Sequence, residues 1–151
     1  MVEGSKEVVG RRQYCNRMKE QISPVTTSVG KIWGRDAIYL DETRIVNEST
    51  IELIGDFNGS LCEHLADGSF HKYQITFQSV MWFQMIELDY DDMEYRSSFD
   101  EVKNSRQLEA MLARDRAAGI GKIDINYHHF VFRTYDIVFQ FVGRSFELFL
   151  L

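Results

Sequence analysis

Two turn signals within one alternating stretch constrain the fold of this chain most. Asn58-Gly59 and Asp67-Gly68 favour type I′ hairpin turns, because both central residues of such turns need positive φ. Taken literally, the two turns join three antiparallel strands over residues 51–77 into a meander. Both turns then place one common set of residues on a largely apolar face: Ile51, Leu53, Phe57, Cys62, His64, His71, Tyr73, Ile75 and Phe77. This agreement between two independent turns supports the register.

The segment after this meander predicts a helix that packs on a sheet. Residues 79–90 extend the third strand, and their continuous apolar run predicts that both faces of this end are covered. Ser98 and Glu101 match a capping box, so we expect the covering helix to begin there and to end at Gly119. Three more strands are predicted after the helix, over about residues 123–133, 136–142 and 145–150.

These elements predict the α+β class, a single domain with an antiparallel sheet and one or two helices. A chain of 151 residues has the length of one ordinary domain. We expect this domain to span residues 31–151. Residues 1–30 are polar and weakly patterned, so we expect a separate N-terminal arm, either a short helix beginning at Ser5 or a disordered segment.

Composition and charge exclude several functional classes. The 23 acidic residues exceed the 17 lysines and arginines, and the formal charge of −6 disfavours nucleic acid and suits a basic protein partner. The N-terminus lacks the apolar core of a signal peptide, and no apolar run approaches the roughly 20 residues of a membrane helix. Cys15 and Cys62 form no disulfide framework. We therefore expect a cytoplasmic protein with no membrane or nucleic-acid partner.

Two groups of histidines raise the question of a metal site. His128 and His129 are neighbours on a predicted strand, so they point to opposite faces, and we interpret them as hydrogen-bonded packing residues. The predicted meander instead brings Cys62, His64 and His71 to one face. Sulfur and nitrogen ligands suit zinc, which makes this trio a metal site in a minority interpretation. The alternative that we favour is a packed core with satisfied histidines and no cofactor.

The best candidate for a partner-binding surface is an acidic run at the end of the third predicted strand. Its carboxylates alternate along the chain, so Glu87, Asp89 and Asp91 would share one strand face. They would either form a solvated strand end or attract a basic protein surface. The partner-binding candidates are the aromatic residue Trp82, as an interface anchor, and five acidic residues. The acidic residues are Glu87, Asp89, Asp91, Asp92 and Glu94. We expect Trp82 to be core if the helix covers it and an interface anchor if the helix does not.

No linear catalytic motif supports an enzyme. The chain has no GxSxG, GxGxxG or HExxH sequence. Residues 119–122 superficially resemble a phosphate-binding loop, but Arg116 occupies the position of the first glycine and Ile123 replaces the serine or threonine. These absences lower the expectation of catalysis, although active sites are also built without linear motifs.

Most of the chain from Lys31 onward resembles a group of small uncharacterised proteins of Firmicute bacteria. Some members of that group are found as immunity-like cassettes beside wall-associated polymorphic toxins. The resemblance implies a shared fold and transfers no catalytic residue. The segments that carry it are KIWGRDAIYL, IGDFNGSLCE, YQITFQSVMWFQMIELD, SSFDEVKNS and HHFVFRTYDIVFQF.

Three functional hypotheses follow from these observations. The favoured one is a non-catalytic cytosolic binding protein, with an immunity protein that sequesters a basic toxin domain as its specific form. The second is a small-ligand or metal-binding protein, including a hydrolase, which uses the sheet face around Cys62, His64 and His71. The third is a structural subunit of a homo-oligomer.

Overall fold

The computed structural model describes residues 18–151. Within them the chain forms nine strands and one α-helix, and the predicted α+β class is confirmed. In chain order the elements are β1 Gln21–Pro24, β2 Ile38–Asn47, β3 Thr50–Asn58, β4 Phe70–Gln78, β5 Trp82–Glu87, β6 Phe99–Lys103, α1 Arg106–Ala118, β7 His128–Arg133, β8 Ile137–Gly143 and β9 Ser145–Leu150.

The strands form two antiparallel sheets that pack face to face. One sheet has the order β1-β6-β7-β8-β5, and the other has the order β2-β3-β4-β9. Aromatic rings from both inner faces fill the space between them, and the Phe77 ring stacks on the Phe141 ring at 3.8 Å. The α1 helix lies over the outer face of the five-stranded sheet. A hydrogen bond between Ser105, at the N-terminus of the helix, and His129 joins the helix to that face. Strands β7 and β8 are therefore covered on both sides, and nearly all of their residues are buried.

A three-stranded meander forms, but its strands are β2, β3 and β4. The prediction of two type I′ turns, at Asn58-Gly59 and Asp67-Gly68, is wrong. Gly59 begins a short 3₁₀-helix, Gly59–Leu61, and an irregular connection then leads to β4. Gly59 is required for space, since a Cβ atom there would lie 2.1 Å from an Asp67 carboxylate oxygen. The predicted apolar face is buried at its residues in β3 and β4, except for His71, and also at Cys62. His64 is exposed and His71 is half-buried.

The segment over residues 79–90 is not an extension of the third strand. Strand β4 ends at Gln78, Ser79 has a positive φ of 54°, and β5 begins at Trp82 in the other sheet. The chain therefore crosses between sheets where the sequence predicts one strand. Strand β5 is an edge strand whose residues are half-buried or exposed, so its two faces are not both covered.

The predicted helix start is also wrong. Ser98 precedes strand β6, and the helix N-cap is Ser105, whose hydroxyl oxygen accepts the Leu108 amide at 3.0 Å. The helix ends at Gly119, which has a φ of 66°, and this confirms the predicted end. The three predicted C-terminal strands are confirmed as β7, β8 and β9, although β7 begins only at His128.

Part of the N-terminal arm contributes to the fold. Strand β1 pairs antiparallel with β6, and Val29 is 2% exposed within the core between the sheets. The helix predicted from Ser5 falls mainly on residues 1–17, which lie outside the described residues. No helix in residues 18–151 is long and apolar enough to cross a membrane.

Candidate binding surface at the end of strand β5

The acidic run leaves the sheet immediately after β5. Residues Leu88–Tyr90 form a 3₁₀-helix, and its first two amide groups are hydrogen-bonded to neighbouring residues. The Asp89 amide donates to a Glu87 carboxylate oxygen at 3.0 Å, and the Leu88 amide donates to the Asp136 carbonyl at 2.8 Å. Because the run is not a strand, Glu87, Asp89 and Asp91 do not alternate on one strand face as predicted. They are held instead by a tight turn on the outside of the five-stranded sheet.

Most of the acidic side chains on this turn are exposed to solvent. Asp89 and Asp92 are exposed, and neither forms an ion pair within residues 18–151. Glu94 pairs with Arg96 at 2.7 Å, but both side chains remain more than half exposed. Tyr90 is 83% exposed between these carboxylates. We define the acidic surface as Glu87, Asp89, Tyr90, Asp91, Asp92 and Glu94.

A buried ion pair fixes the chain that follows the acidic surface. Arg133 on β7 donates from Nη1 to Asp100 on β6 at 2.6 Å, and both side chains are at most 5% exposed. The same guanidinium donates to the carbonyl oxygens of Ser97 at 2.8 Å and Glu94 at 2.8 Å. The Asp100 carboxylate in turn accepts from the amides of Arg96 and Ser97, each at 3.1 Å. This network therefore ties residues 94–97 to two strands of the sheet.

Sequence reasoning missed this ion pair. Asp100 lay inside the predicted capping box and Arg133 at the end of a predicted strand, and the two residues are 33 positions apart. Opposite charges at that separation have no local periodic signal. Only the register of β6 beside β7 brings Asp100 close to Arg133.

A pocket of about 300 Å³ adjoins the acidic surface through Leu88 and Tyr95. Its wall is fixed by hydrogen bonds, since Ser98 Oγ donates to the Gly34 carbonyl at 2.7 Å and the Gly34 amide donates to the Tyr95 hydroxyl oxygen. The Arg133 guanidinium lies 5.3 Å from the centre of the Tyr95 ring. The atoms that face the pocket are mainly apolar, although two arginines contribute to its lining. The lining residues are Gly34, Arg35, Leu88, Tyr95, Ser98, Arg133 and Thr134.

Trp82 does not belong to this surface. It lies at the first position of β5, whereas the acidic surface begins at the last position, about 17 Å along the strand. The indole is half-buried, and the centre of its ring lies 5.6 Å from the centre of the His129 ring in a T-shaped arrangement. Helix α1 flanks Trp82 across a groove without burying it completely. The structure thus separates Trp82 from the five carboxylates with which the sequence grouped it.

The predicted hairpin that was to assemble Cys62, His64 and His71 does not form. Cys62 is buried beyond the 3₁₀-helix, and burial raises the pKa of its thiol to about 11, with a further contribution from the charge of Asp67. His64 is exposed beside Glu63, and His71 Nε2 bonds an Asp67 oxygen at 2.9 Å. Within the described part of the chain, no group of three or more His, Cys, Asp or Glu side chains is arranged to hold a metal ion.

The two neighbouring histidines lie on opposite faces, as predicted. His128 is partly exposed and bonds Glu101 at 2.9 Å. His129 is 2% exposed and lies between Ser105 Oγ, 2.6 Å from Nδ1, and Gln140 Oε1, 2.8 Å from Nε2. Because Gln140 Oε1 only accepts, Nε2 carries the proton and the Ser105 hydroxyl donates to Nδ1. Since Ser105 Oγ also accepts from Leu108, this cluster caps the helix and offers no free nucleophile.

Comparisons with known proteins returned no match to a family model, a curated protein or a solved structure. The resemblance to the immunity-like group therefore stays an expectation from the sequence. The acidic surface and its pocket are the arrangement of the described residues that best fits a known mode of recognition.

Proposed function

We propose that this chain is a non-catalytic binding protein that engages a basic protein partner through the acidic surface. The observation that carries the proposal is that the exposed residues Asp89 and Glu94 are chain neighbours of Leu88 and Tyr95, which line a pocket of about 300 Å³. Protein interfaces combine a pocket that holds an anchor side chain with a polar rim. The pocket beside Tyr95 supplies the first element, and Asp89, Asp92 and Glu94 supply the second.

The acidic surface beside the pocket favours a partner segment that carries lysine or arginine residues. Because Arg35 and Arg133 line the pocket itself, the pocket suits an uncharged anchor side chain, and the cationic residues of the partner would face the carboxylates beside it. Net charge adds to this preference, because a chain of formal charge −6 attracts a basic protein at long range and raises the association rate. Tyr90 offers a further exposed aromatic side chain at the contact.

An immunity protein that sequesters a toxin domain is the specific form of this proposal. The support for this form is the resemblance in sequence to immunity-like cassette proteins. Such a protein acts by steric and electrostatic occlusion of the toxin and needs no catalytic residue. This mechanism agrees with the role of Ser105 and His129 as structural partners of the helix N-terminus.

Affinity capture with a pair of charge-matched variants tests the proposal. The tagged wild-type chain is used as bait in lysate of its source cells, followed by washing at low and at high salt. The test variant is Asp89→Lys with Asp92→Lys. The control is Glu48→Lys with Glu147→Lys, whose acidic residues are exposed, unpaired within residues 18–151 and distant from the surface. Both variants change the formal charge from −6 to −2.

We expect a stoichiometric basic polypeptide that is retained by the wild type and the control, is lost from the test variant and is released at high salt. Equal retention by the test variant would remove the acidic surface from the interface. Failure to retain any polypeptide, together with metal in the purified native protein, would favour the small-ligand or metal-binding alternative.

A further inference from the structure

The first residues of β5 and the helix α1 form a groove of about 530 Å³ on the outer face of the five-stranded sheet. Met81 and Trp82 line one side, whereas Met111 on the helix and Ile120 just beyond its C-terminal end line the other side. Met81 is 41% exposed and Ile120 is 56% exposed although both line the groove. The groove is therefore open to solvent and presents an apolar surface of methionine, isoleucine and tryptophan side chains.

Two cations flank this apolar surface. Arg114 and Lys122 both line the groove and are exposed, and within residues 18–151 neither side chain forms an ion pair. Asp115 also lines the groove, but its carboxylate is buried and accepts the Lys122 amide at 3.1 Å and the Ile123 amide at 3.3 Å. Asp115 thus holds the loop that carries Lys122, and the three charges sum to a positive rim.

From these observations we infer that the groove is a second docking surface, which binds an acidic peptide segment of a partner protein. The positive rim selects carboxylates, in a chain that is otherwise strongly acidic. The methionines suit apolar anchors of several shapes, because their side chains are flexible and polarisable. An enclosed small molecule is disfavoured because ligand pockets bury most of a ligand, whereas Met81 and Ile120 remain exposed.

The apolar lining and the rim define the recognition mode. An amphipathic helix would place one or two large apolar side chains against Trp82 and Met111, with glutamates or aspartates facing Arg114 and Lys122. This surface is separate from the acidic surface, since the two lie at opposite ends of β5 and carry opposite charge. The inference therefore does not depend on the proposed function.

Titration with designed peptides tests the inference. The probe is a short amphipathic peptide with leucines at helical spacing and glutamates at its other positions. One control peptide replaces the glutamates with lysines, and another replaces the leucines with alanines. Affinity is measured by calorimetry on the full chain, and the Trp82 indole N–H resonance reports the place of binding.

We expect the acidic leucine peptide to bind and to shift the Trp82 resonance, and both control peptides to bind at least about tenfold more weakly. Arg114→Glu with Lys122→Glu should weaken binding by about tenfold or more. The charge-matched control, Lys19→Glu with Arg116→Glu, should leave affinity unchanged, because neither residue lines the groove. Ile120→Ser, at an exposed position, should weaken binding without unfolding the chain.

Three results would overturn the inference: no binding of the acidic leucine peptide, equal binding of the lysine peptide, or full affinity in the Arg114→Glu and Lys122→Glu variant. The last variant also separates this inference from the proposed function. It should still retain a basic partner, whereas Asp89→Lys with Asp92→Lys should lose the basic partner and still bind the acidic peptide. The proposal for either surface can therefore be disproved independently of the proposal for the other surface.

Discussion

The outer face of the five-stranded sheet carries two buried polar clusters that differ in charge. At one end the Arg133–Asp100 ion pair secures the segment after the acidic surface. At the other end the neutral Ser105–His129–Gln140 cluster secures the N-terminus of α1. Between them Val102, Val131 and Val138 form a small apolar cluster. The comparison shows that the same sheet face holds the segment after the acidic surface with charges and the N-terminus of the helix with neutral hydrogen bonds.

The difference between the clusters has an energetic basis. A buried ion pair is costly to desolvate, so the loss of one partner leaves an uncompensated charge in the interior. A neutral cluster that loses one partner leaves only an unsatisfied donor or acceptor, which costs less. The ionic cluster should therefore be the more sensitive to substitution, and the neutral cluster the more sensitive to mild acid through His129.

The largest effect is expected for Arg133→Met. This change leaves the Asp100 carboxylate buried without its cation and should lower the free energy of unfolding by about 3–5 kcal/mol. Urea unfolding measures the loss. The double variant Asp100→Leu with Arg133→Met should recover part of it, because no buried charge then remains. A loss below about 1 kcal/mol for the single variant would show that water reaches the site.

A smaller loss is expected for Ser105→Ala. The change removes the N-cap oxygen that accepts from Leu108 and the hydroxyl that donates to His129. Together these should lower the free energy of unfolding by about 1–3 kcal/mol in the same urea experiment. Ser105→Thr keeps a hydroxyl and serves as the control. If alanine and threonine behave alike, the hydroxyl has no stabilising role.

The neutral cluster should make stability depend on pH. Burial lowers the pKa of His129 from its ordinary value of 6.5 and outweighs the opposing effects of the Gln140 hydrogen bond and the Glu20 charge. Below pH 6.5 the unfolded chain therefore binds a proton at this residue that the folded chain does not. The free energy of unfolding should fall as the pH drops from 6.5 towards the lowered pKa.

Replacement of the histidine isolates its contribution to this pH dependence. In His129→Gln the free energy of unfolding should fall less steeply below pH 6.5 than in the wild type, since the titrating group is gone. Urea unfolding at several pH values measures both slopes, and comparison of slopes removes the constant cost of the substitution. Equal slopes in the two proteins would assign the pH dependence to other residues.

The smallest effect is expected for the exposed ion pair between Glu94 and Arg96. Both side chains are 56% exposed, so Arg96→Met should change the free energy of unfolding by no more than about 1 kcal/mol. This variant is the exposed counterpart of Arg133→Met, which removes the same kind of cation from a buried site. An effect as large as that of Arg133→Met would mean that burial does not explain the difference between the clusters.

The success of sequence reasoning differed between the fold and the candidate site. Alternation correctly predicted the buried face of residues 51–57 and 73–77, because strand periodicity is visible in neighbouring residues. The turns at Gly59 and Gly68 were wrong, since neither glycine has the positive φ of a type I′ turn. For the site, the acidic residues were found, but their strand geometry and their grouping with Trp82 were wrong.

The sequence by itself determined the α+β class, the buried face of β3 and β4 and the end of α1 at Gly119. Each of these follows from local patterns, namely the period of apolar residues and the tolerance of glycine for positive φ. Only the tertiary structure decided that the strands divide into two sheets, that Asp100 meets Arg133 and that Gly34 meets Tyr95, 61 positions away. The physical reason is that side chains of distant residues converge only when strand order and register are established, and no local pattern specifies either.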